Sequence, residues 1–564
     1  MKPCTPFVVA LIVGLLTGIA DGALMIYNVD GVRTLAGGFS ALGFVEVIWL
    51  WMTVCCAAAA VFAWRRLGRW RVIPIVFAGP GLLLLGRVTF RVRETTGWPP
   101  ALVLLLWLLA TLLVCAMTMT FPLRESKRPG WWAMVAAVSL ALVVLRAADL
   151  RFADFVAGPA PVVNDSRRNV VLLILDAGRW DDTMSTKHIG AFARGAVSFD
   201  NAWSSAPWTV PSHFAMFTGR DPSTVSYDPT EARYQYDGTR IAGYFRSRGY
   251  ATSAIFANNR LSTEAGFAAD FEERTVSRQT GVCRSAIGYL LAYSNQRTGV
   301  HPPLCDRIDA KKIVRRARSF VRRAKRPYFL AMNFTDPHYP YTLARECRVP
   351  GMELVPHARR RTVVTATPRH PPSQETVRLV RAQYRAAIAC ADREIALLLR
   401  DVDDANTVIA ITADHGEGFN EHGLGGHGES LYREVLHVPL IIKIPGMTPA
   451  RVADAVSTTD LYMTLVRAGE RNTAPLPLFT PALRRPAVAS LATEATGGFS
   501  VARGTLHFIR FSDGRELLFD FAADPEEQHP LPITSEAAPL REIVLRAAHQ
   551  AKRPVEFRSL GYLR

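Results

Sequence analysis

The stretch Ser204–Ser223, SSAPWTVPSHFAMFTGRDPS, sets a threonine hydroxyl ahead of an apolar run that closes on Thr218-Gly219. Its centre reads Thr209-Val210-Pro211-Ser212-His213. Two short apolar runs lie on either side of it, and each ends in acid: Asn169–Asp176 reads NVVLLILD, and Val408–Glu417 reads VIAITADHGE. A third run, Tyr328–Asn333, leads into Thr335-Asp336-Pro337-His338. Runs this short and β-branched read as buried parallel strands that deliver polar groups at their C-terminal ends. In open α/β sheets that edge is where ligands bind. The fold expected from Asn169 onward is therefore α/β, with strand and helix alternating.

A threonine before a helix is more often a cap than a nucleophile. Here the spacing puts the Thr209 hydroxyl at a helix N-terminus, where the dipole favours a developing alkoxide or a phosphate oxygen. Threonine is a weak nucleophile at neutral pH, so a metal or a base must activate it. Asp414 and His415 supply a hard oxygen and an imidazole nitrogen at one strand end, and Asp176 adds a carboxylate from another. With Thr209 these make a four-ligand metal set suited to Zn²⁺ or Mn²⁺, with Ca²⁺ or Mg²⁺ as alternatives. His427 follows across the glycine-rich run Gly423–Gly428, and His338 follows the third strand. Both are candidates to stabilise oxyanion charge, protonate a leaving group or bind a second metal. His213, Arg179 and Trp208 are the candidates to shape a substrate pocket. Any one histidine is usually structural, but five such groups at strand ends point to a site.

Outside this part the composition changes. A chain of 564 residues exceeds one domain, and its first 150 residues hold long uncharged runs. Those 150 residues carry 13 Lys/Arg and 6 Asp/Glu, within a total net charge of +17. Five apolar segments read as membrane spans: Phe7–Tyr27, Ala41–Trp64, Val72–Val88, Ala101–Phe121 and Trp131–Leu145. The first could instead be a cleaved signal peptide, with Lys2 before it and small residues at Ala20–Ala23. Basic loops at Arg65–Arg71 and Arg124–Arg128 share a side with Lys2, which puts the N-terminus inside and everything after Leu150 outside. Asp21 and Glu46 lie inside spans near their outer ends, as functional acids or as groups reaching water. The expected localisation is a multi-pass inner-membrane protein with its catalytic domain on the periplasmic or extracellular side.

The expected domains are a transmembrane helical domain at 1–150, a linker at 151–168, a catalytic α/β domain at 169–470 and a C-terminal subdomain at 471–564. In the last, Leu506–Arg510 and Glu516–Phe521 flank an Asp513-Gly514 turn and read as antiparallel strands. The remaining basic excess has none of the basic-aromatic interleaving of a nucleic-acid groove, so no nucleic acid partner is expected and lipid headgroups fit better. Cys283, Cys305, Cys347 and Cys390 allow two disulfides outside the cytosol, with 283–305 and 347–390 the nearest pairing in sequence.

The motifs together resemble the sulfatase branch of the alkaline phosphatase superfamily, from Asn169 to about His529. Sulfatases carry Cys-x-Pro-Ser-Arg with Thr-Gly nine residues after the cysteine, and this chain reads Thr209-Val-Pro-Ser-His213 with Thr218-Gly219 in the same frame. Asp336-Pro-His338, the Asp-His-Gly-Glu from Asp414, Val438-Pro-Leu-Ile-Ile442, Thr459-Asp-Leu461 and Glu516-Leu-Leu-Phe-Asp520 resemble further family motifs. The departures matter as much. Threonine cannot give the formylglycine aldehyde that sulfatases make from cysteine or serine. The paired acids of the first strand reduce to Asp176 beside Ala177, and the motif's arginine has become His213. Threonine at this position resembles the phosphoryl-transfer relatives: phosphodiesterases, lipoteichoic acid synthases and phosphoethanolamine transferases. The resemblance implies a sulfatase-like α/β fold and a metal-dependent phosphotransferase. Thr209 would take a headgroup from a membrane phospholipid donor and pass it to an envelope glycan or lipid acceptor. The alternatives are a sulfatase-like hydrolase, acting as phosphodiesterase or sulfatase, and an inactive scaffold.

Overall fold

The runs read as strands form one sheet in the computed structural model, which describes residues 167–552 apart from 229–232, 264, 278–307, 342, 344–346, 349–351, 353, 403–404 and 492–496. Its strands are β1 (Asn169–Leu175), β2 (Val197–Trp203), β3 (Ala251–Phe256), β4 (Glu273–Val276), β5 (Tyr328–Phe334), β6 (Thr407–Ala413), β7 (His437–Lys443) and β8 (Ala450–Ser457). They lie in the order β8-β2-β7-β6-β1-β5-β3-β4. β1 pairs in parallel with β5 and β6, while β7 runs antiparallel to both of its neighbours, so the sheet is mixed. Helices cover both faces, which is why β1, β5 and β6 are apolar almost without interruption. The register matters for the site. Leu175 pairs with both Phe334 and Ala413, so the residues after β1, β5 and β6 leave the sheet at one level.

The helices follow from local signals. α1 (Thr209–Thr218) tolerates Pro211 because a first-turn residue needs no intrahelical N–H partner. It stops at Gly219, whose φ of +65° suits glycine and whose N–H bonds to the Ala215 carbonyl. All ten of its residues are buried. Phe214 and Phe217 alone contribute roughly 1.5–3 kcal/mol each by leaving water. α2 (Ile241–Ser247) precedes β3. In α3 (Ala310–Arg323) the buried Ile313, Val314, Ala317 and Phe320 recur at helical spacing under a basic outer face, and the Asp309 side chain caps its start. α4 (Gln374–Leu399) packs Val380, Tyr384, Ile388, Ala391 and Ile395 inward. α5 (Leu461–Gly469) closes the region of the large sheet.

A second, four-stranded antiparallel sheet follows, in the order β9 (Ala487–Leu491), β10 (Gly498–Arg503), β11 (Leu506–Phe511) and β12 (Glu516–Asp520). The sequence reading foresaw only the last two strands; Gly514, at φ +90°, turns between them. α6 (Ala538–Gln550) lays Leu540 and Val544 on Val501, Phe508 and Leu518 of this sheet. Cys347 is joined to Cys390, tying the segment after β5 to α4. Cys283 and Cys305 lie outside the described residues.

The expected membrane placement is corrected. Among the described residues no helix is long and apolar enough to cross a bilayer. The longest of them, α4, carries Arg378, Arg381, Arg385 and Arg393 outside its buried apolar stripe. The five apolar segments, and Asp21 and Glu46 with them, lie outside the described residues, so the transmembrane bundle has no structural support.

Candidate active site

Asp176 follows β1, Asp414 follows β6, His338 lies beyond β5, Asn258 follows β3, and Thr209 opens α1 after β2. The common level of these strand ends brings them to one buried point. Asp176, Thr209, Asp414 and His415 are each at most 1% exposed. The Thr209 Oγ1 lies 3.5 Å from Asp176 Oδ1 and 3.4 Å from His415 Nε2. His415 Nε2 is 3.7 Å from Asp176 Oδ1 and 3.5 Å from Asp414 Oδ2. Its Nδ1 is 2.8 Å from the Gly416 carbonyl, which assigns the proton to Nδ1 and leaves the Nε2 lone pair facing the carboxylates. Gly416 is glycine because a Cβ there would come within 2.1 Å of the Glu434 carbonyl oxygen.

Asp414 is held by its backbone surroundings. Its Oδ1 accepts N–H bonds from Ala177 (3.1 Å) and His415 (2.9 Å). Ala177 reaches it by adopting φ +62°, with its carbonyl accepting from the Tyr384 hydroxyl at 2.7 Å. Asp414 Oδ2 is buried and has no hydrogen-bond partner. Asp176 Oδ2 accepts from two carboxamides, Asn258 Nδ2 at 2.8 Å and Asn333 Nδ2 at 3.0 Å.

Two further histidines flank this group. The ring of His427 is centred 4.3 Å from that of His415 and 4.9 Å from that of His338. His427 Nδ1 donates to Glu417 Oε1 at 2.8 Å, and the other Glu417 oxygen accepts from the Tyr341 hydroxyl at 2.8 Å. His338 Nε2 is 3.9 Å from Asp176 Oδ1, and its Nδ1 is 2.7 Å from the Tyr339 carbonyl.

The electrostatics ask for a cation. Burial pushes the Asp414 carboxyl well above its usual range, and the Asp176 charge adds to this. Burial also acts to raise Asp176, but the neighbouring His338 and His415 and the two asparagine bonds hold it below the usual value. Burial and the His427 charge lower His415 well below its ordinary value, keeping it neutral as a ligand must be. Burial acts to lower His427, and the Glu417 carboxylate overcomes it, holding the imidazole above its usual value. One oxygen or nitrogen from each of Asp176, Asp414 and His415 falls within 4.8 Å of the others. Two buried carboxylates this close, one with an oxygen that bonds to nothing, fit a divalent ion bound by Asp176, Asp414, His415 and Thr209.

The residues expected to shape a substrate pocket, His213, Arg179 and Trp208, are all buried. Arg179 gives its guanidinium to Asp181 (3.0 Å), Glu421 (2.6 Å) and the Glu417 carbonyl (2.9 Å), so it braces the loop behind His427. His213 is fully buried, with Nδ1 2.9 Å from the Thr209 carbonyl, and burial pushes it down to about 4. Trp208 is buried immediately before α1. His422 stays on the rim, stacked on Tyr432 and 3.0 Å from Glu434. Sequence reasoning passed over Asn258, Asn333, Glu417 and Tyr341. Asn333 carried a signal as a lone polar residue in YFLAMNF, and Glu417 stood unused inside the quoted Asp-His-Gly-Glu.

The family model described as "Sulfatase" matches residues 168–469. Human iduronate 2-sulfatase is 27% identical over 331 residues, covering 50% of this chain and 60% of its own length. The choline-sulfatase of Rhizobium meliloti is 24% identical over 406 residues, 61% of this chain and 77% of its own. The crystal structure of a phosphonate monoester hydrolase of Agrobacterium radiobacter superposes with a TM-score of 0.50 at 17% identity, covering 69% of this chain and all of that one, which speaks to the fold alone. The chain belongs to the sulfatase family. These relatives are named as sulfatases and hydrolases, so they lend the multi-pass membrane placement no support.

Proposed function

We propose that the chain is a metal-dependent hydrolase of phosphate esters, acting on phosphodiesters or phosphonate monoesters with Thr209 as nucleophile. One observation carries the reading: the Thr209 hydroxyl, at a buried helix start, lies within 3.5 Å of both Asp176 and His415. Where sulfatases need an aldehyde precursor, this chain offers an alcohol, and an alcohol serves phosphoryl transfer as it stands.

A divalent ion held by Asp176, Thr209, Asp414 and His415 would lower the pKa of the hydroxyl and draw off phosphoryl charge. The chain's own groups do the rest. Thr209 Oγ, its proton released to solvent, attacks phosphorus; the P–Oγ bond forms as the bond to the leaving alcohol breaks. The N-terminal amides of α1 favour the charge that develops beside them. His427, oriented through Nδ1 by Glu417, gives a proton to the leaving oxygen, with His338 beside it. Water then attacks the phosphothreonine, the same histidine takes a proton from that water, the P–Oγ bond breaks, and Thr209 takes back a proton from solvent. An acceptor alcohol in place of water would make the enzyme a transferase. A phospholipid donor with an envelope glycan or lipid acceptor is the form of that variant the sequence suggests.

The test is turnover of bis(para-nitrophenyl) phosphate, para-nitrophenyl phenylphosphonate and para-nitrophenyl sulfate by the wild type, Thr209→Ser and Thr209→Ala. The expected result is turnover of the phosphorus esters, part of it kept by serine, and a loss of roughly 10³-fold or more with alanine. Turnover of the sulfate ester in preference to both phosphorus esters would return the chain to the sulfatase reading.

A further inference from the structure

The two carboxylates at the centre of the site are arranged alike. Asp414 has one oxygen taken by two backbone N–H groups and the other without a hydrogen bond. Asp176 has Oδ2 taken by two side-chain N–H groups, from Asn258 and Asn333, and Oδ1 turned toward Thr209 Oγ1, His415 Nε2 and His338 Nε2 at 3.5, 3.7 and 3.9 Å.

The orientation of both carboxamides is determined by what their oxygens accept. Asn333 Oδ1 accepts the backbone N–H of Asn258 at 3.0 Å, so its amino group must be the end that meets Asp176. Asn258 Oδ1 accepts the backbone N–H of Arg260 at 3.0 Å, capping a single 3₁₀ turn at Asn259–Leu261, so its amino group likewise faces Asp176. That amino group also lies 3.4 Å from the Thr209 hydroxyl. The side chains are linked in series: Asn333 positions Asn258, and both hold one carboxylate oxygen. Asn333 is fully buried and Asn258 nearly so, which makes each bond costly to leave unmade.

We infer that Asn258 and Asn333 are positioning residues for the metal site: together they saturate Asp176 Oδ2, so that Asp176 presents a single oxygen to the ion, and Asn258 also steadies the nucleophile. This rests on the metal reading above and adds to it how the ligand is held. Hydrogen bonds from outside a ligand set orient the ligand, and losing them typically weakens metal affinity by roughly 10- to 100-fold.

The test uses the full chain and Mn²⁺, with free ion read from its EPR signal. Asn258→Ala and Asn333→Leu should weaken Mn²⁺ binding by roughly 10-fold or more in protein that remains folded. In the Co²⁺-loaded protein, freeing Oδ2 lets Asp176 bind through both oxygens, so the visible absorption should fall as the coordination number rises. A lower melting temperature with unchanged Mn²⁺ affinity and an unchanged cobalt spectrum would show the asparagines to be packing residues only and would overturn the inference. Should Asn333→Leu fail to fold, Asn258→Ala decides alone, since Asn258 lies in the turn after β3 and not within the sheet. A wild-type protein that binds no Mn²⁺ overturns the metal reading and this inference with it, whereas wild-type binding with unaltered variants overturns the inference only.

Discussion

Ala177 shows how much a single residue is asked to do. It sits between Asp176 and a glycine, in a left-handed conformation that alanine adopts at a cost, and in return its N–H meets the Asp414 carboxylate. Glycine would take the same φ without strain. Ala177→Gly is expected to leave the N–H bond in place and raise stability by about 0.5–1 kcal/mol in thermal or urea unfolding. A loss of more than that would mean the methyl group is needed for packing. At this scale the sequence was partly legible. Asp176, Thr209, Asp414 and His415 stood out because each ends an apolar run or opens a helix. Asn258 and Asn333 did not, because a carboxamide has no motif and its partners lie 82 and 157 positions away in the chain. Arg179, expected to bind substrate, gives its guanidinium to two carboxylates in this structure. Its partner Glu421 lies far off in the chain, so the pairing was not legible in the sequence.

Elements were easier to read than the contacts between them. β1, β5 and β6 begin within a residue of the apolar runs read from the sequence, because buried β-branched strands leave a clear signal. The first half of the C-terminal sheet, β9 and β10, was missed, its short alternating strands lacking a marked turn. Between this sheet and the active-site loop lies a histidine whose environment can be read by pH. His422 donates to Glu434 at 3.0 Å and to the Glu527 carbonyl at 3.0 Å. Burial acts to lower its pKa, but the Glu434 bond and charge prevail and lift it to about 9. Burial pulls Glu434 the other way for stability, lifting its carboxyl so that its charge is costly. A base raised on folding contributes stability that is complete below its unfolded pKa of about 6.5 and lost as pH rises through about 9. Wild type should therefore exceed His422→Gln by roughly 1 kcal/mol near pH 6, allowing for solvent screening at the rim, and the two should converge by about pH 10. A gap that widens with pH would contradict the assignment.

For the whole molecule, the mixed sheet serves to bring five separated segments to one edge, and the site it builds is unfavourable without a cation. Two buried carboxylates with a neutral imidazole between them repel, so removing divalent metal should destabilise the entire described domain. Chelation is expected to lower the melting temperature, and restoring metal at about 100 times its dissociation constant should return about 2.7 kcal/mol. Asp414→Ala should lose that response. An identical melting temperature with and without chelator would argue against the ion.

The central claim is that Thr209 carries the phosphoryl group. The most direct measurement is rapid quenching of the metal-loaded enzyme during turnover of bis(para-nitrophenyl) phosphate, followed by mass spectrometry of the peptide spanning Ser204–Gly219. The account predicts a phosphoryl ester on Thr209 that forms with the first release of nitrophenol, decays as substrate is exhausted, and is absent from Thr209→Ala. Turnover at the wild-type rate with no adduct on Thr209, or with an adduct on another residue, would contradict it.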